Sequence, residues 1–189
     1  MLSFLIYITV TSITPGPSNL FIMLSSKTFG IKGASRFIAG ILAGFLFLAC
    51  LSLVLLYTLN DLLPEIQSVL KYLGFVYLLY LAYKTFKMSV DEDESKAYQS
   101  FKSVFLIQIF NMKSLLIFIT LLGAFIMQIA DDLVTTIIYM AITVIVGWLY
   151  LLIWGFAGSF LKDLLNKYDL PFRIVMSLLL VYSAISIFL

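Results

Sequence analysis

Charged and polar residues divide the chain into six apolar stretches, each close to the length of a membrane-spanning helix. About 20 apolar residues are needed for a helix to cross the hydrocarbon core of a bilayer. Transmembrane β-strands would instead show short segments of alternating hydrophobicity. The pattern therefore predicts an all-α, polytopic membrane protein of six transmembrane helices. The predicted spans are Met1 to Ser26, Phe37 to Asn60, a third around Tyr72 to Tyr83, Ser103 to Ala130, Leu133 to Leu161, and Ile174 to Leu189.

The ends of some spans are less clearly marked. The third span is expected to begin near Ile66 or Ser68, and the sixth near Leu170, because their apolar cores alone are short. The first span has no basic residues before its apolar run, and Pro15 and Pro17 interrupt it. A cleavable signal peptide has a basic n-region and an uninterrupted apolar core, so the first span is expected to be retained.

Composition supports the membrane assignment and narrows the function. Of the 189 residues, 62% are hydrophobic and 12% are charged, whereas soluble domains average about 45–50% and about 25%. The net charge of +2 is too small for the dense basic face of a nucleic-acid-binding protein. The chain has no His, and Cys50 is its one cysteine, which excludes most zinc chemistry and an internal disulfide. The spans offer no nucleophile–base–acid set, so we expect no enzyme, no catalytic residue, no metal site and no cofactor.

Basic residues are concentrated in the segments on one side of the predicted membrane. That side carries ten Lys and Arg residues, and the other side carries only Lys71. Because such residues are enriched on the cytoplasmic side, both termini are expected outside the cytoplasm. The acidic run from Asp91 to Glu94 is expected to be a solvated loop. The ten basic residues are Lys27, Lys32, Arg36, Lys84, Lys87, Lys96, Lys102, Lys162, Lys167 and Arg173.

Interruptions at matching places indicate an internal repeat. The first span contains Thr14-Pro15-Gly16-Pro17 and the fourth contains Asn111-Met112-Lys113. Each half holds an odd number of spans, so the two halves must run in opposite directions. The sequence therefore predicts a single transmembrane domain made of two inverted three-helix repeats, residues 1–87 and 103–189, joined by a cytoplasmic linker at 88–102. Matched interruptions are typical of transporters with a midplane site; the alternative is the general similarity of any two groups of three spans.

The Pro-Gly-Pro sequence predicts a helix break near the membrane midplane. Pro15 and Pro17 lack a backbone N–H, and each disfavours helical geometry at the residue before it. The helix that restarts at Pro17 presents free N–H groups and the positive end of its dipole, which together bind anions. An amino-acid carboxylate fits such a site, with the polar side chains of Ser18 and Asn19 beside it. The alternative is a structural kink filled by neighbouring helices.

Lys113 is the one charged residue predicted to lie deep within a span. If the fourth helix begins near Ser103, Lys113 is roughly 15 Å deep, at the centre of a ~30 Å core. A central Lys costs about 2.5–3.5 kcal/mol and usually faces a cavity or a partner. Its partner is then the substrate, water, or the backbone carbonyls freed at the Pro-Gly-Pro break. The alternative is a helix that starts later, which would leave Lys113 at the interface.

Two polar residues, Gln108 and Asn111, lie near Lys113 on the same predicted helix. They complete a set of candidate substrate-binding residues drawn from both interruptions. The set comprises Thr14, Pro15, Gly16, Pro17, Ser18, Asn19, Gln108, Asn111 and Lys113.

These motifs resemble those of a known family. Thr14-Pro15-Gly16-Pro17 resembles the TPGP signature of the LysE/RhtB amino-acid exporters, and Gln108-x-x-Asn111-Met112-Lys113 is similar to their Q-x-x-N-P-K. The stretch from Gly74 to Lys84 resembles their G-x-x-Y-L-x-Y-L-x-x-K, and the likeness covers nearly the whole chain. The resemblance implies an exporter of amino acids or similar small zwitterionic solutes in the bacterial inner membrane, driven by the proton gradient.

Two positions depart from the family pattern. Met112 replaces the proline of the second motif, so a milder second break is expected. After the Gly40-x-x-x-Gly44 pair, which we interpret as a helix-packing motif, many members carry Asp or His where this chain has Phe45. That difference puts cation coupling and a basic substrate in doubt.

The leading hypothesis is an alternating-access secondary transporter whose partners are a small-molecule substrate and the lipid bilayer. An exporter of inorganic or organic ions with the same architecture is one alternative. A non-transporting membrane scaffold is another, and it predicts no cavity around Lys113. No nucleic-acid partner is expected, and homodimer formation stays open.

Overall fold

The computed structural model describes residues 2–59, 63–87, 101–186 and 188, and the regular elements in these ranges are all helical. The predicted all-α class is therefore confirmed. The acidic run Asp91 to Glu94 and most of the predicted linker lie outside the described residues. The helices are α1 (Leu2–Ile13), α2 (Pro17–Gly33), α3 (Ser35–Leu59), α4 (Leu63–Lys87), α5 (Phe101–Ile109), α6 (Met112–Ala124), α7 (Leu133–Phe160), α8 (Lys162–Lys167) and α9 (Asp169–Ile185), with a short 3-10 helix at Ile126–Gln128.

Two of the described helices are long and apolar enough to cross a membrane. These are α3 and α7, and their bounds differ by only one or two residues from the predicted second and fifth spans. A third candidate forms if α5, α6 and the 3-10 helix are counted together, because they meet at a bend of 53°. The chain is thus a membrane protein with two to three candidate spans among the described residues, and the full six-span arrangement stays a prediction.

The first span differs most from its prediction. The predicted first span corresponds to two helices, α1 and α2, and α2 runs on to Gly33 with a change of direction at Gly30, where φ is +67°. That conformation suits glycine because it has no Cβ. Lys27, predicted to lie beyond the first span, belongs to α2 and is only 6% exposed, so this helix continues past Ser26, the predicted end of the span. Its ammonium is accommodated there by the Asp169 carboxylate, 3.2 Å away.

A side-chain cap explains where α7 begins. Asp132 precedes α7 and accepts hydrogen bonds from the backbone N–H of Thr135 at 2.9 Å and from its hydroxyl at 2.6 Å. These bonds stabilise the ionised form and hold the pKa of the Asp132 carboxyl below its usual value. α9 begins at Asp169, close to the predicted Leu170, whereas α4 begins at Leu63, before the predicted Ile66.

Small residues allow the closest helix contacts. A Cβ on Gly44 of α3 would lie 2.6 Å from the Cβ of Gln108 in α5, so no larger residue fits there without movement. A Cβ on Gly158 of α7 would overlap with the carbonyl oxygen of Met23 in α2. The interpretation of the Gly40–Gly44 pair as a packing motif is therefore confirmed.

A buried apolar cluster joins α2, α4, α8 and α9, and we call it the α2–α4–α9 cluster. It lies apart from the larger core that α1, α2, α3, α6 and α7 share with neighbouring elements. Its buried members are Leu20, Met23, Leu78, Leu81, Ala82, Leu165, Phe172, Met176, Leu180 and Ala184.

Candidate functional site

The first helix break has the form that its prolines predict. α1 ends at Ile13, Gly16 is fully extended with φ −152° and ψ 178°, and Pro17 occupies the first position of α2. Proline is well tolerated there because the first N–H groups of a helix have no partner within the helix. The first turn of α2 therefore presents its positive end at the break.

The second break forms without a proline. α5 ends at Ile109, and the Asn111 side chain caps α6 by accepting a hydrogen bond from the backbone N–H of Ser114 at 3.3 Å. Asparagine is among the best capping residues because its side-chain oxygen replaces the missing helical acceptor. The resulting bend is 53°, so Asn111 interrupts the span even though Met112 stands in the place of the family's proline.

The two breaks meet inside the molecule through a buried hydrogen-bond network. The Ser18 hydroxyl at the start of α2 donates to Oε1 of Gln108 at 2.5 Å and accepts from Nδ2 of Asn111 at 2.6 Å. Gln108 Nε2 also donates to the Ser114 hydroxyl at 3.3 Å. All four side chains are buried. Buried polar groups need such partners, and this network fixes the position of one break against the other.

Lys113 binds the backbone that the first break frees. Its Nζ donates to the carbonyl oxygens of Thr14 at 3.1 Å and Pro15 at 3.0 Å. The alkyl part of Lys113 passes very close to Gly16, where a Cβ would lie 2.9 Å from Cδ. Three partners were predicted for Lys113: the substrate, water, or the backbone carbonyls of the first break. The structure shows the carbonyls as its partners.

Other side chains also donate hydrogen bonds to backbone carbonyls at the first break. Asn19 donates to the carbonyl oxygens of Ser12 at 3.0 Å and Thr14 at 3.1 Å. Ser183 of α9 donates its hydroxyl to the Pro15 carbonyl at 2.6 Å. Side chains of α2, α6 and α9 thus hold the unwound backbone and satisfy carbonyls that have no partner within a helix.

Two cavities adjoin this arrangement. The central cavity is lined by the break residues, by Asn111 and Lys113, and by Phe45, and its volume is about 40 Å³, enough for water but not for a larger solute. A second cavity of about 260 Å³, which we call the Lys71 cavity, is lined by Thr14, Lys113 and Lys71 together with residues of α1, α6 and α9.

The structure brings all nine candidate residues together. Seven of them line the central cavity, while Pro15 takes part through its carbonyl and Gln108 through the hydrogen-bond network. A carboxylate at this place would find a positive helix end and an ammonium group, and an ammonium ion would find carbonyl oxygens. The arrangement therefore suits a ligand that carries a positive and a negative group a few ångströms apart.

Sequence reasoning missed two polar contributors. Ser114 is the third residue after the Asn111 cap, and that spacing was a usable signal for a capping interaction. Ser183 sits among apolar residues near the end of the chain, and only the packing of α9 against the first break brings it to Pro15. No local sequence pattern marks it.

The chain is similar to known transport proteins. The LysE type translocator family matches residues 9–188. The chain is 29% identical over 187 residues to the cysteine/O-acetylserine efflux proteins of Escherichia coli (strain K12), Shigella sonnei (strain Ss046) and Shigella flexneri. The matches cover 98% of this chain and 96% of each relative. No solved structure matches the chain significantly.

Proposed function

The chain belongs to the LysE type translocator family, and from that premise we propose that it exports small zwitterionic amino acids across the bacterial inner membrane by alternating access. The family is one of transporters, so this chain is not an enzyme. The relatives are named for the efflux of cysteine and O-acetylserine. We extend to this chain the class that those names share, an amino acid with a small, uncharged side chain.

The observation that carries the proposal is the pairing of Lys113 with the broken backbone. The Lys113 ammonium donates hydrogen bonds to the Thr14 and Pro15 carbonyls. An amino acid carries its own ammonium, which would replace Nζ on those oxygens, while its carboxylate would bind Lys113 and the N-terminus of α2. Charge-assisted hydrogen bonds of this kind are about twice as strong as neutral ones. An amino acid thus carries both groups that this exchange requires, an ammonium for the carbonyls and a carboxylate for Lys113.

We assign the six spans to α1 with α2, α3, α4, α5 with α6, α7, and α9. α4 has 25 residues and α9 has 17, which correspond to about 37 Å and about 26 Å of helix. The lengths suit a hydrocarbon core of about 30 Å. The strong excess of basic residues on one side then supports both termini lying outside the cytoplasm.

The pattern of helix packing supports the inverted repeat. The broken first span packs on the unbroken fifth, as α1 and α2 against α7, and the broken fourth span packs on the unbroken second, as α5 and α6 against α3. The third span packs on the sixth, as α4 against α9. If the first three spans are exchanged for the last three, the pair of first and fifth spans becomes the pair of fourth and second spans. The pair of third and sixth spans stays the same. A two-fold relation between the repeats requires this pattern.

The order of cavities along two helices supports alternating access. Along α2, Leu20 and Met23 of the α2–α4–α9 cluster come between Ser18 at the central cavity and the basic-side end of the helix. Along α9, Leu180 and Met176 come between Ser183, which lines the Lys71 cavity, and the same side. In this conformation the break adjoins a cavity towards Lys71 and is closed by apolar side chains on the basic side. Export requires the cluster to separate while the Lys71 side closes.

Solute counterflow in proteoliposomes tests the proposed function. Vesicles containing the purified protein are loaded with one unlabelled amino acid at a time, or with O-acetylserine, and the uptake of the labelled compound is followed. We expect counterflow with small uncharged amino acids and none with inorganic ions. Counterflow with no amino acid would contradict the proposal, and a non-transporting scaffold predicts that result.

A further inference from the structure

The central cavity has two chemically different sides. The polar side carries the helix breaks and the groups that would bind the charged ends of an amino acid, among them Ser18, Asn111 and Lys113. The opposite side, which we call the apolar wall, is built from α1, α3, α6 and α7. When the ammonium and the carboxylate of an amino acid are bound at the polar side, its side chain is left to face this wall. The wall consists of Ile8, Phe45, Ile117, Gly147 and Leu151.

Phe45 is the largest residue of the apolar wall, and its ring is packed against two neighbouring helices. On α7, Gly147 makes room for the ring, because a Cβ there would lie 2.6 Å from both Cε1 and Cζ of Phe45. On α6, the centroid of the Phe118 ring lies 4.7 Å from that of Phe45. Phe118 is fully buried and Phe45 is only 8% exposed. Close-packed interiors resist displacement, so the Phe45 ring holds its position and sets the width of the cavity.

The face that α7 turns to the cavity depends on Phe45 at its middle. Thr143, Gly147 and Leu151 line the cavity at intervals of four residues, which places them on one face of the helix. The Thr143 hydroxyl donates to the Tyr139 carbonyl of its own helix at 2.9 Å. Gly147 has no side chain, and the ring of Phe45 from α3 fills that position instead. A smaller residue at 45 or a larger one at 147 would therefore change the space beside the site.

We propose that Phe45, seated against Gly147, determines which amino acids the protein exports by limiting the space for the side chain of the cargo. The cavity measures about 40 Å³, room for only a few water-sized groups. Narrow side chains such as those of cysteine and serine fit beside the ring, and branched or aromatic ones are excluded. The inference rests on the proposed function, because it takes an amino acid bound at the helix breaks as given. It adds the residue that selects among amino acids, whose ammonium and carboxylate are common to all of them.

Competition between amino acids tests this selection. Proteoliposomes containing the purified protein are loaded with unlabelled cysteine, and the entry of labelled L-cysteine, kept reduced with dithiothreitol, is measured at increasing concentrations of leucine or serine. The readout is the half-inhibitory concentration of leucine divided by that of serine, which does not depend on the amount of protein. In Phe45→Ala this ratio should fall about ten-fold or more, because one methylene group in an apolar pocket changes discrimination by about 10–200-fold. Phe45→Leu removes less volume and should lower the ratio by a smaller factor, which keeps the test available if the alanine variant does not fold.

Phe37 provides the matched control. It lies on α3 about 12 Å from Phe45 along the helix, it is only 1% exposed, and it does not line the central cavity. Phe37→Ala removes the same ring from the core of the same helix and should leave the ratio at its wild-type value. An equal fall in Phe37→Ala and Phe45→Ala would reduce the effect to a general loosening of the core and overturn the proposal.

Gly147→Ala tests the same contact from α7. The added Cβ displaces the Phe45 ring, so the half-inhibitory concentration of serine should rise about ten-fold, since small misplacements in a site have large effects. In the double variant that also carries Phe45→Ala, the ring is absent and this rise should disappear, as expected for two residues in direct contact. A rise that persists in the double variant would mean that Gly147 acts without Phe45, which contradicts the proposal.

The remaining outcomes separate this inference from the proposed function. Counterflow of cysteine in the wild type, with an unchanged ratio in Phe45→Ala and Phe45→Leu, overturns the selection by Phe45 alone. Equal inhibition of the wild type by leucine and serine has the same meaning. Absence of counterflow in the wild type with every amino acid overturns the proposed cargo and this inference with it.

Discussion

At the residue scale, Lys113 holds the two breaks together by placing its ammonium on the Thr14 and Pro15 carbonyls. A Lys in the bilayer core is costly, and the freed carbonyls supply the partners that make it tolerable. In the proposed function, the ammonium of the solute replaces the Lys113 ammonium on these carbonyls. Lys113 can then bind the carboxylate of the solute. We therefore propose that Lys113 both stabilises the broken backbone and takes part in binding the cargo.

Replacing Lys113 by methionine should separate these two roles. Methionine keeps the length of the side chain and removes its charge, so insertion into the membrane should be at least as efficient. Export should fall by about ten- to a hundred-fold, because a hydrogen bond to a charged group contributes about 1.5–3 kcal/mol. The check is the export rate divided by the amount of protein in the membrane. Equal export per molecule would remove Lys113 from the binding site.

Gly16→Ala tests the close approach of Lys113 to the break. The backbone at Gly16 is extended, which any residue adopts, so the strain of this substitution comes only from the contact with Lys113 Cδ at 2.9 Å. We expect Lys113 to shift and export to fall about ten-fold, since small misplacements in a site have large effects. Gly123→Ala in α6 is the control, because a Cβ there meets nothing within 4 Å. Similar export in the two variants would contradict the close packing at Gly16.

Which residues form the site was largely predictable at this scale, because proline, glycine and a lone lysine are conspicuous in an apolar sequence. Ser183 was not predictable, since its role depends on how α9 packs. The burial of Lys27 was not predictable, because its charge suggests an exposed position, while its partner Asp169 lies far along the chain. Long-range ion pairs leave no local signal in a single sequence.

At the element scale, the two helix breaks form the candidate site, and the unbroken helices α7 and α3 pack beside them. α7 packs along the first broken span and α3 along the second. The central parts of α3 and α7 were easy to predict because long apolar runs dominate their sequences. The end of α2 was not, since the helix continues past Lys27 and turns at Gly30, where tertiary packing overrides the charge pattern.

Replacing Pro15, Gly16 and Pro17 together by alanine should restore a continuous helix from α1 to α2. Alanine has the highest helix propensity and returns the missing N–H groups, so the Thr14 and Pro15 carbonyls would bond within the helix and be lost to Lys113. Export should be abolished while membrane insertion is retained. The test is the rate of export in everted vesicles, divided by the amount of protein in the membrane. Unchanged export would reduce the break to a kink.

At the scale of the whole molecule, the orientation follows from the distribution of basic residues. Single cysteines in a background without Cys50 test it, one replacing Lys167 and one replacing Asp131, because both positions are exposed. A membrane-impermeant thiol reagent added to intact cells should label position 131 and leave position 167 unlabelled. Position 167 should react once the membrane is permeabilised. Labelling of 167 in intact cells would reverse the orientation.

Fold class and membrane character could be predicted from the sequence because 62% hydrophobic residues cannot be buried in a soluble protein of this size. The pairing of the spans could not, since it depends on which apolar faces fit each other. Small residues such as Gly44 and Gly158 set those fits, and a sequence marks their presence but not their partners.

The most direct measurement of the central claim, that the breaks and Lys113 bind an amino-acid carboxylate, compares ligands with and without that group. Thermal unfolding of the purified protein is followed with L-cysteine, with its methyl ester and with cysteamine, in wild type, Lys113→Met and the exposed-site control Lys167→Met. A bound ligand stabilises the folded state by mass action, about 2.7 kcal/mol at a hundred times its Kd. L-cysteine should raise the Tm of wild type and Lys167→Met by about 5–10 °C, while the ester and amine have little effect and Lys113→Met does not respond. Equal stabilisation of Lys113→Met, or equal effects of acid and ester, would contradict the account.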